Sequence, residues 1–78
     1  MLENMTKLAT VTDDESDIIT DLFNRANISF MFSGFGKKDY IQDTYEKYDL
    51  YVLNRDKDKA IKVLKENNDK LDIYIIAD

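Results

Sequence analysis

The order of secondary-structure patterns along the chain constrains the fold more than any other feature of this sequence. Alternating and helical hydrophobic patterns follow one another as strand, helix, strand, strand, helix and strand within 78 residues. A chain of this length has room for one domain, which buries about 60–65% of the surface that the unfolded chain exposes. The sequence therefore predicts a single small α+β domain, spanning residues 1–78, with a thin hydrophobic core.

The first half of the chain contains the clearest helix signal. The β-branched residues between Met5 and Thr12 predict the first strand. Thr12-Asp13-Asp14-Glu15 has the spacing of a capping box, in which the hydroxyl of Thr12 and the carboxylate of Glu15 each accept a bond from the other residue's backbone amide. Asn27 suits the left-handed end of a helix. Between these signals the predicted helix carries one apolar stripe of Ile18, Ile19, Leu22, Phe23 and Ala26.

The second half contains weaker signals. Residues 28–33 alternate apolar and small polar side chains and predict a second strand, which the glycines at 34 and 36 break or bend. Residues 48–54 and 71–77 predict the third and fourth strands. Asn54 or Asp56 suits the start of a second helix, whose apolar members are Ala60, Ile61, Val63 and Leu64. Residues 37–47 are compatible with a short helix capped by Asp39 or with an irregular loop, and the sequence does not decide between them.

This order of elements predicts a ferredoxin-like βαββαβ fold. Such a fold has a four-stranded antiparallel sheet with two helices on one face. The same scaffold serves enzymes, RNA-binding proteins, metal carriers and regulatory sensors, so the fold does not by itself indicate the function.

The composition removes several classes of functional site. The chain contains no Cys and no His, which excludes Cys/His zinc sites, thiol nucleophiles and His-based triads. The net charge of −5, with only two arginines, Arg25 and Arg55, argues against nucleic-acid binding. The absence of long apolar stretches and of an N-terminal signal pattern argues against a membrane partner and predicts a cytoplasmic location.

Three motifs are better explained by structure than by chemistry. Gly34-Phe35-Gly36-Lys37-Lys38 lacks the glycine spacing of a phosphate loop. Asn54-Arg55-Asp56-Lys57-Asp58 lacks the Gly and the Glu that a calcium loop requires at its sixth and twelfth positions. Asp14, Asp17 and Asp21 share one side of the first helix, where a solvated face with an Asp21–Arg25 ion pair is expected. We therefore predict no catalytic residues, no metal site and no cofactor.

The predicted sheet suggests a contact surface. Strand alternation assigns one set of residues to the buried face: Ile28, Phe30, Phe32, Leu50, Val52, Ile73 and Ile75. The opposite face then carries Leu8, Met31, Tyr51, Leu53, Tyr74 and Ile76. An apolar outer face with aromatic residues is typical of a protein interface. An RNA-binding sheet uses similar residues but needs basic neighbours. Alternatively, some of these assignments are wrong, or the fourth strand and the middle segment cover one another.

Part of the chain resembles known families. The run Asp49-Leu50-Tyr51-Val52-Leu53-Asn54-Arg55-Asp56, continued by Lys59-Ala60-Ile61-Lys62-Val63-Leu64, resembles the second half of a prokaryotic signal-transducing domain of unknown function. Residues 17–30, which include Asn27-Ile28, are similar to ACT-type regulatory domains. Both resemblances imply the ferredoxin-like fold and a regulatory role. The first loop, Thr12-Asp13-Asp14-Glu15, lacks the Gly that ACT-type ligand sites use, and no functional residue is carried over.

The sequence as a whole predicts a non-enzymatic regulatory or protein-interaction module. Its outer sheet face would bind a second copy of the chain or another protein. Two alternatives remain open at this point. One is an ACT-like domain that senses a small metabolite. The other is an acidic phage-type inhibitor that occupies a basic site on a host protein.

Overall fold

The computed structural model describes residues 4–76 and has an α+β architecture. Its elements are β1 (Met5–Val11), α1 (Asp13–Arg25), β2 (Phe30–Asp39), β3 (Thr44–Leu53), a 3₁₀ turn (Asn54–Asp56) and α2 (Lys57–Glu66). Within the described range the three strands form one antiparallel sheet in the order β1-β3-β2. The central strand, β3, therefore has a neighbour on both sides.

Helix α1 begins and ends as its local sequence predicts. At its start, Thr12 Oγ1 accepts a bond of 3.3 Å from the Glu15 amide, and Glu15 Oε1 accepts one of 3.0 Å from the Thr12 amide. At its end, Asn27 adopts a left-handed φ of 58°. The Ile28 amide then donates to the carbonyl of Phe23 at 2.9 Å, which is the long-range bond of a Schellman motif. The capping box and the stop at Asn27 are both confirmed.

Both helices pack on the same face of the sheet. Ile19 and Phe23 of α1 and Leu64 of α2 are buried in one cluster with Leu50 and Val52 of β3. All residues predicted for the buried face belong to this cluster or pack against it, namely Ile28, Phe30, Phe32, Leu50, Val52, Ile73 and Ile75. The prediction of the inner face is confirmed because direct alternation holds along β3 and the first half of β2.

Leu8 is an exception to the predicted alternation. Lys7 pairs with Tyr51 and Ala9 pairs with the adjacent Leu50, so Leu8 is an extra residue that forms a β-bulge in β1. Leu8 is fully buried in the core cluster. The predicted position of Leu8 on the outer face is wrong, since an extra residue changes which face the rest of a strand presents.

Residues 37–47 form neither the short helix nor the irregular loop that the sequence allowed. Strand β2 continues through both glycines to Asp39, and β3 begins at Thr44, so the two strands form a long hairpin. Asp39 does not cap a helix. Its Oδ1 accepts bonds from the amides of Ile41 at 3.0 Å and Gln42 at 3.2 Å, which stabilises the turn between the strands.

The predicted fourth strand is not found in the described residues. Residues 71–75 have no regular secondary structure, residue 76 lies in a turn, and Ala77 lies outside the described residues. The Ile76 amide donates to the Leu8 carbonyl at 2.6 Å, and the Asp72 amide donates to Glu15 Oε2 at 3.1 Å, just beyond the end of β1. These two bonds attach the segment to the edge of β1 and to the start of α1. The bulge at Leu8 interrupts the edge with which such a strand would pair.

The two residues predicted to cap the second helix bind elsewhere. Asp56 occupies the N-cap position of α2, but its side chain makes no capping bond there. Its Oδ2 instead accepts a bond of 3.3 Å from the amide of Ser29, at the entrance to β2. Asn54 Oδ1 accepts a bond from the hydroxyl of Thr6 in β1. These bonds connect the end of β3 to the other two strands of the sheet.

Candidate functional site: the outer sheet face

The strand register defines the face of the sheet that lies opposite the helices. Because Leu50 and Val52 point into the core, the alternate residues of β3 point away from it. Residues directly opposite them on the neighbouring strands share that face. This outer sheet face consists of Met5, Lys7, Thr10, Met31, Ser33, Phe35, Lys47, Asp49, Tyr51 and Leu53.

The β1 side of the outer sheet face is polar and internally paired. Lys7 Nζ lies 3.1 Å from Asp49 Oδ1, and Thr10 Oγ1 donates to the same oxygen at 2.8 Å. Each of these contacts joins β1 to β3 across the sheet. The Asp49 carboxylate is thus held by two neighbours on its own face.

The β2 side of the outer sheet face is richer in apolar residues, although Ser33 lies between Met31 and Phe35 and Lys47 lies opposite Phe35. Met31 and Phe35 are 38% and 44% exposed, and Tyr51 and Leu53 of β3 are partly exposed next to them. We call these four residues the apolar strip. Aromatic and Met side chains of this kind supply large, adaptable contact area.

The six predicted contact residues fall into three groups. Met31, Tyr51 and Leu53 lie together on the outer sheet face, whereas Leu8 lies in the core. Tyr74 and Ile76 are 82% and 53% exposed on the segment beside β1.

Sequence reasoning missed Phe35, the fourth member of the apolar strip. The alternation of Met31, Ser33 and Phe35 is visible in the sequence, but the predicted strand covers only residues 28–33, because the glycines at 34 and 36 are expected to break or bend it. Extending the predicted strand through the two glycines would have assigned Phe35 to this face.

Charge is unevenly distributed over the molecule. The outer sheet face has two lysines and one aspartate, a net charge of +1. Helix α1 has five carboxylates and one arginine, a net charge of −4. Much of the acidity of the chain therefore lies on the helical side, away from the outer sheet face.

A row of aromatic rings lines the inner side of the sheet and continues into the hairpin. Successive ring centroids lie 5.7 Å apart for Phe23–Phe30, 5.6 Å for Phe30–Phe32 and 6.2 Å for Phe32–Tyr48. Tyr45 continues the row at 6.2 Å from Tyr48. All four contacts have the edge-to-face geometry that aromatic quadrupoles favour. The row connects the core to the projecting hairpin.

An open hollow of about 480 Å³ lies at the tip of the hairpin, lined by residues 37–41 and 44–46. Lys38 Nζ lies there 5.2 Å and 5.3 Å from the ring centroids of Tyr40 and Tyr45, and 3.1 Å from Asp43 Oδ1. The hydrogen bond and charge of Asp43 raise the pKa of Lys38 above its ordinary value. The ammonium group of Lys38 is therefore engaged by its own hairpin.

The glycine–lysine motif and the acidic residues of α1, for which the sequence predicted no functional site, have structural roles. Lys37 and Lys38 lie within a strand and precede no helix, so they do not form a phosphate loop. Arg25 Nε lies 3.2 Å from Asp21 Oδ2, which confirms the predicted ion pair on α1. Within residues 4–76, no group of three or more acidic side chains is placed to hold a metal ion. No helix in the same range is long and apolar enough to cross a membrane.

Comparisons of the chain with family models, with curated proteins and with solved structures give no match. The resemblance to a signal-transducing domain and to ACT-type domains therefore stays a prediction.

Proposed function

We propose that this protein is a non-enzymatic interaction module that binds protein through its outer sheet face. One observation carries the proposal: Met31, Phe35, Tyr51 and Leu53 form an exposed apolar strip on the face that neither helix covers. An antiparallel sheet with one face in water normally alternates apolar and polar residues. The apolar strip departs from that pattern, and such patches are typical of contact surfaces.

The charge of the outer sheet face favours protein over nucleic acid as the partner. A phosphate backbone is bound mainly by several Lys and Arg side chains. This face has Lys7 and Lys47, and Lys7 is already paired with Asp49. A protein surface, by contrast, needs buried apolar anchors with a polar border. The apolar strip beside the Lys7–Asp49 pair fits the second description.

The ferredoxin-like form of the fold is part of this proposal. The bond from the Ile76 amide to the Leu8 carbonyl supports it, because it attaches residues 71–76 to the edge of β1 where a fourth strand would pair. Ile73 and Ile75 pack against the core, so the alternate residues Tyr74 and Ile76 point away from it. Completion of the strand would bring these two side chains to the β1 edge of the outer sheet face and enlarge the contact area.

Photo-crosslinking of the full chain in its native cells tests the proposed function. A photoreactive phenylalanine analogue replaces Met31 in one variant and Lys62, an exposed residue of α2, in a control variant. We expect protein adducts from position 31 and few from position 62. Equal adducts from the two positions, or none from position 31, would contradict the proposal.

A further inference from the structure

We propose that the partner of the outer sheet face is a second copy of this chain, bound sheet to sheet about a two-fold axis. This inference rests on the proposed function, because it assigns an occupant to the same surface. Three properties of the described residues point to a second copy: the distribution of charge, the composition of the face and its area.

The distribution of charge permits self-association through this face and disfavours it elsewhere. Two copies with a net charge of −5 repel one another overall. The outer sheet face has a net charge of +1, whereas α1 has −4. In a sheet-to-sheet dimer the two α1 helices lie on opposite outer surfaces. At about 10 Å per layer they are roughly 30 Å apart, or more than three Debye lengths at physiological salt.

The composition of the face suits a symmetric interface. A two-fold interface brings the same patch of both copies together, so the patch must complement itself. The four residues of the apolar strip are uncharged, and the charged residues beside them, Lys47 and Asp49, have opposite signs and can pair across a two-fold axis. Homodimer interfaces are more apolar than transient ones and are rich in aromatic and Met side chains. An acidic or basic partner would instead require an excess of opposite charge on this face.

The area of the face predicts how tightly two copies bind. Three strands about 4.8 Å apart and about 7 residues long cover about 350 Å², and residues 71–76 raise this to about 450 Å². The dimer then buries about 700–900 Å² in total, which is the size of a weak, transient interface. We therefore expect a dissociation constant on the order of micromolar rather than nanomolar.

Light scattering over protein concentrations from about 1 to about 500 μM tests the inference. We expect the mass to rise from that of one chain to that of two, and the dimer to persist at high salt because apolar contacts hold it. Met31→Lys should weaken dimerisation at least tenfold. Ile41→Lys is the matched control, since it places the same charge at a large apolar residue that is 96% exposed on the hairpin tip. Circular dichroism establishes that both variants are folded.

Three results would overturn the second copy as occupant. They are a wild-type chain that stays monomeric over the whole range, equal weakening by the two substitutions, and weakening by Ile41→Lys alone. A monomeric chain that still forms adducts from position 31 with other proteins would remove the second copy and leave the proposed function standing. A monomeric chain with no such adducts would remove both.

Discussion

The two ends of the β2–β3 hairpin differ sharply in their surroundings. At the core end, residues 48–53 of β3 lie between β1 and β2 and carry Leu50 and Val52, which are fully buried. At the far end, residues 34–47 form a two-stranded ribbon with Tyr40 84% and Ile41 96% exposed at its tip. One continuous hairpin thus contains both buried core residues and large apolar residues that are almost fully exposed. Burial therefore concentrates the stability of this chain at one end.

The far end is held by a few specific contacts instead. The ring of Tyr45 covers Gly34, and the Tyr45 amide donates to the Tyr48 hydroxyl at 2.9 Å. Lys38 pairs with Asp43 near the turn. The comparison predicts that loss of a fully buried side chain from the core costs several kcal/mol, whereas substitutions at the far end cost less and change local structure.

Phe23→Ala should have the largest effect, because Phe23 is fully buried and begins the aromatic row. Loss of a buried aromatic side chain typically costs about 3–5 kcal/mol. Urea denaturation, followed by far-UV circular dichroism, measures the change in the free energy of unfolding. A loss below about 1 kcal/mol would contradict the position of Phe23 at the centre of the core.

Gly34→Ala should have the next largest effect and should act on the ribbon. A Cβ at position 34 would lie 2.3 Å from Cδ2 and 3.0 Å from Cβ of Tyr45, so the Tyr45 ring must leave its position. We expect a cost of about 1–3 kcal/mol in the free energy of unfolding, as for other overpacked sites. The control is a double-mutant cycle with Tyr45→Ala. If Gly34→Ala costs as much without the Tyr45 ring as with it, the contact does not explain the effect.

Thr12→Ala should lower the free energy of unfolding by about 1 kcal/mol, because it removes the hydroxyl that accepts a bond from the Glu15 amide at the start of α1. Thr12→Ser, which retains the hydroxyl, is the matched control and should remain near wild type. Thermal unfolding of the three proteins measures the difference. Equal losses for the two substitutions would show that the methyl group, rather than the cap, stabilises the helix.

Asp43→Asn should have the smallest effect on stability, because the Asp43 carboxylate that pairs with Lys38 is largely exposed to solvent. It should return the pKa of Lys38 towards its ordinary value, since Asp43 is the main cause of the upward shift. A raised Lys pKa contributes stability at neutral pH that is lost only as the pH rises through that pKa. NMR titration of the lysine side chains measures the pKa of Lys38. A Lys38 pKa that is the same in Asp43→Asn as in the wild type would contradict the contact with Asp43.

Local signals in the sequence predicted local structure well. The capping box at Thr12 and the stop at Asn27 depend on residues a few positions apart, and both are present. The inner face of the sheet also followed from simple alternation. Three of the six predicted contact residues, Met31, Tyr51 and Leu53, accordingly lie on the outer sheet face.

The errors arose where strand pairing overrides local pattern. The bulge that buries Leu8 is defined by how β1 pairs with β3, and no residue near Leu8 in the sequence predicts it. The far end of the hairpin contains two glycines and many polar residues, which locally favour a loop, yet pairing between β2 and β3 makes it a ribbon. Phe35 was missed for the same reason. The predicted fourth strand is absent from the described residues, and the edge of β1 with which it would pair is interrupted by the bulge at Leu8.

A dilution series of ¹H–¹⁵N correlation spectra tests most directly whether the outer sheet face is a contact surface. The predicted result is that amide signals change with concentration along the apolar strip, at Met31, Phe35, Tyr51 and Leu53, while those of α1 and of the hairpin tip stay constant. Signals that do not change at any concentration, or changes centred on Tyr40 and Ile41, would contradict it.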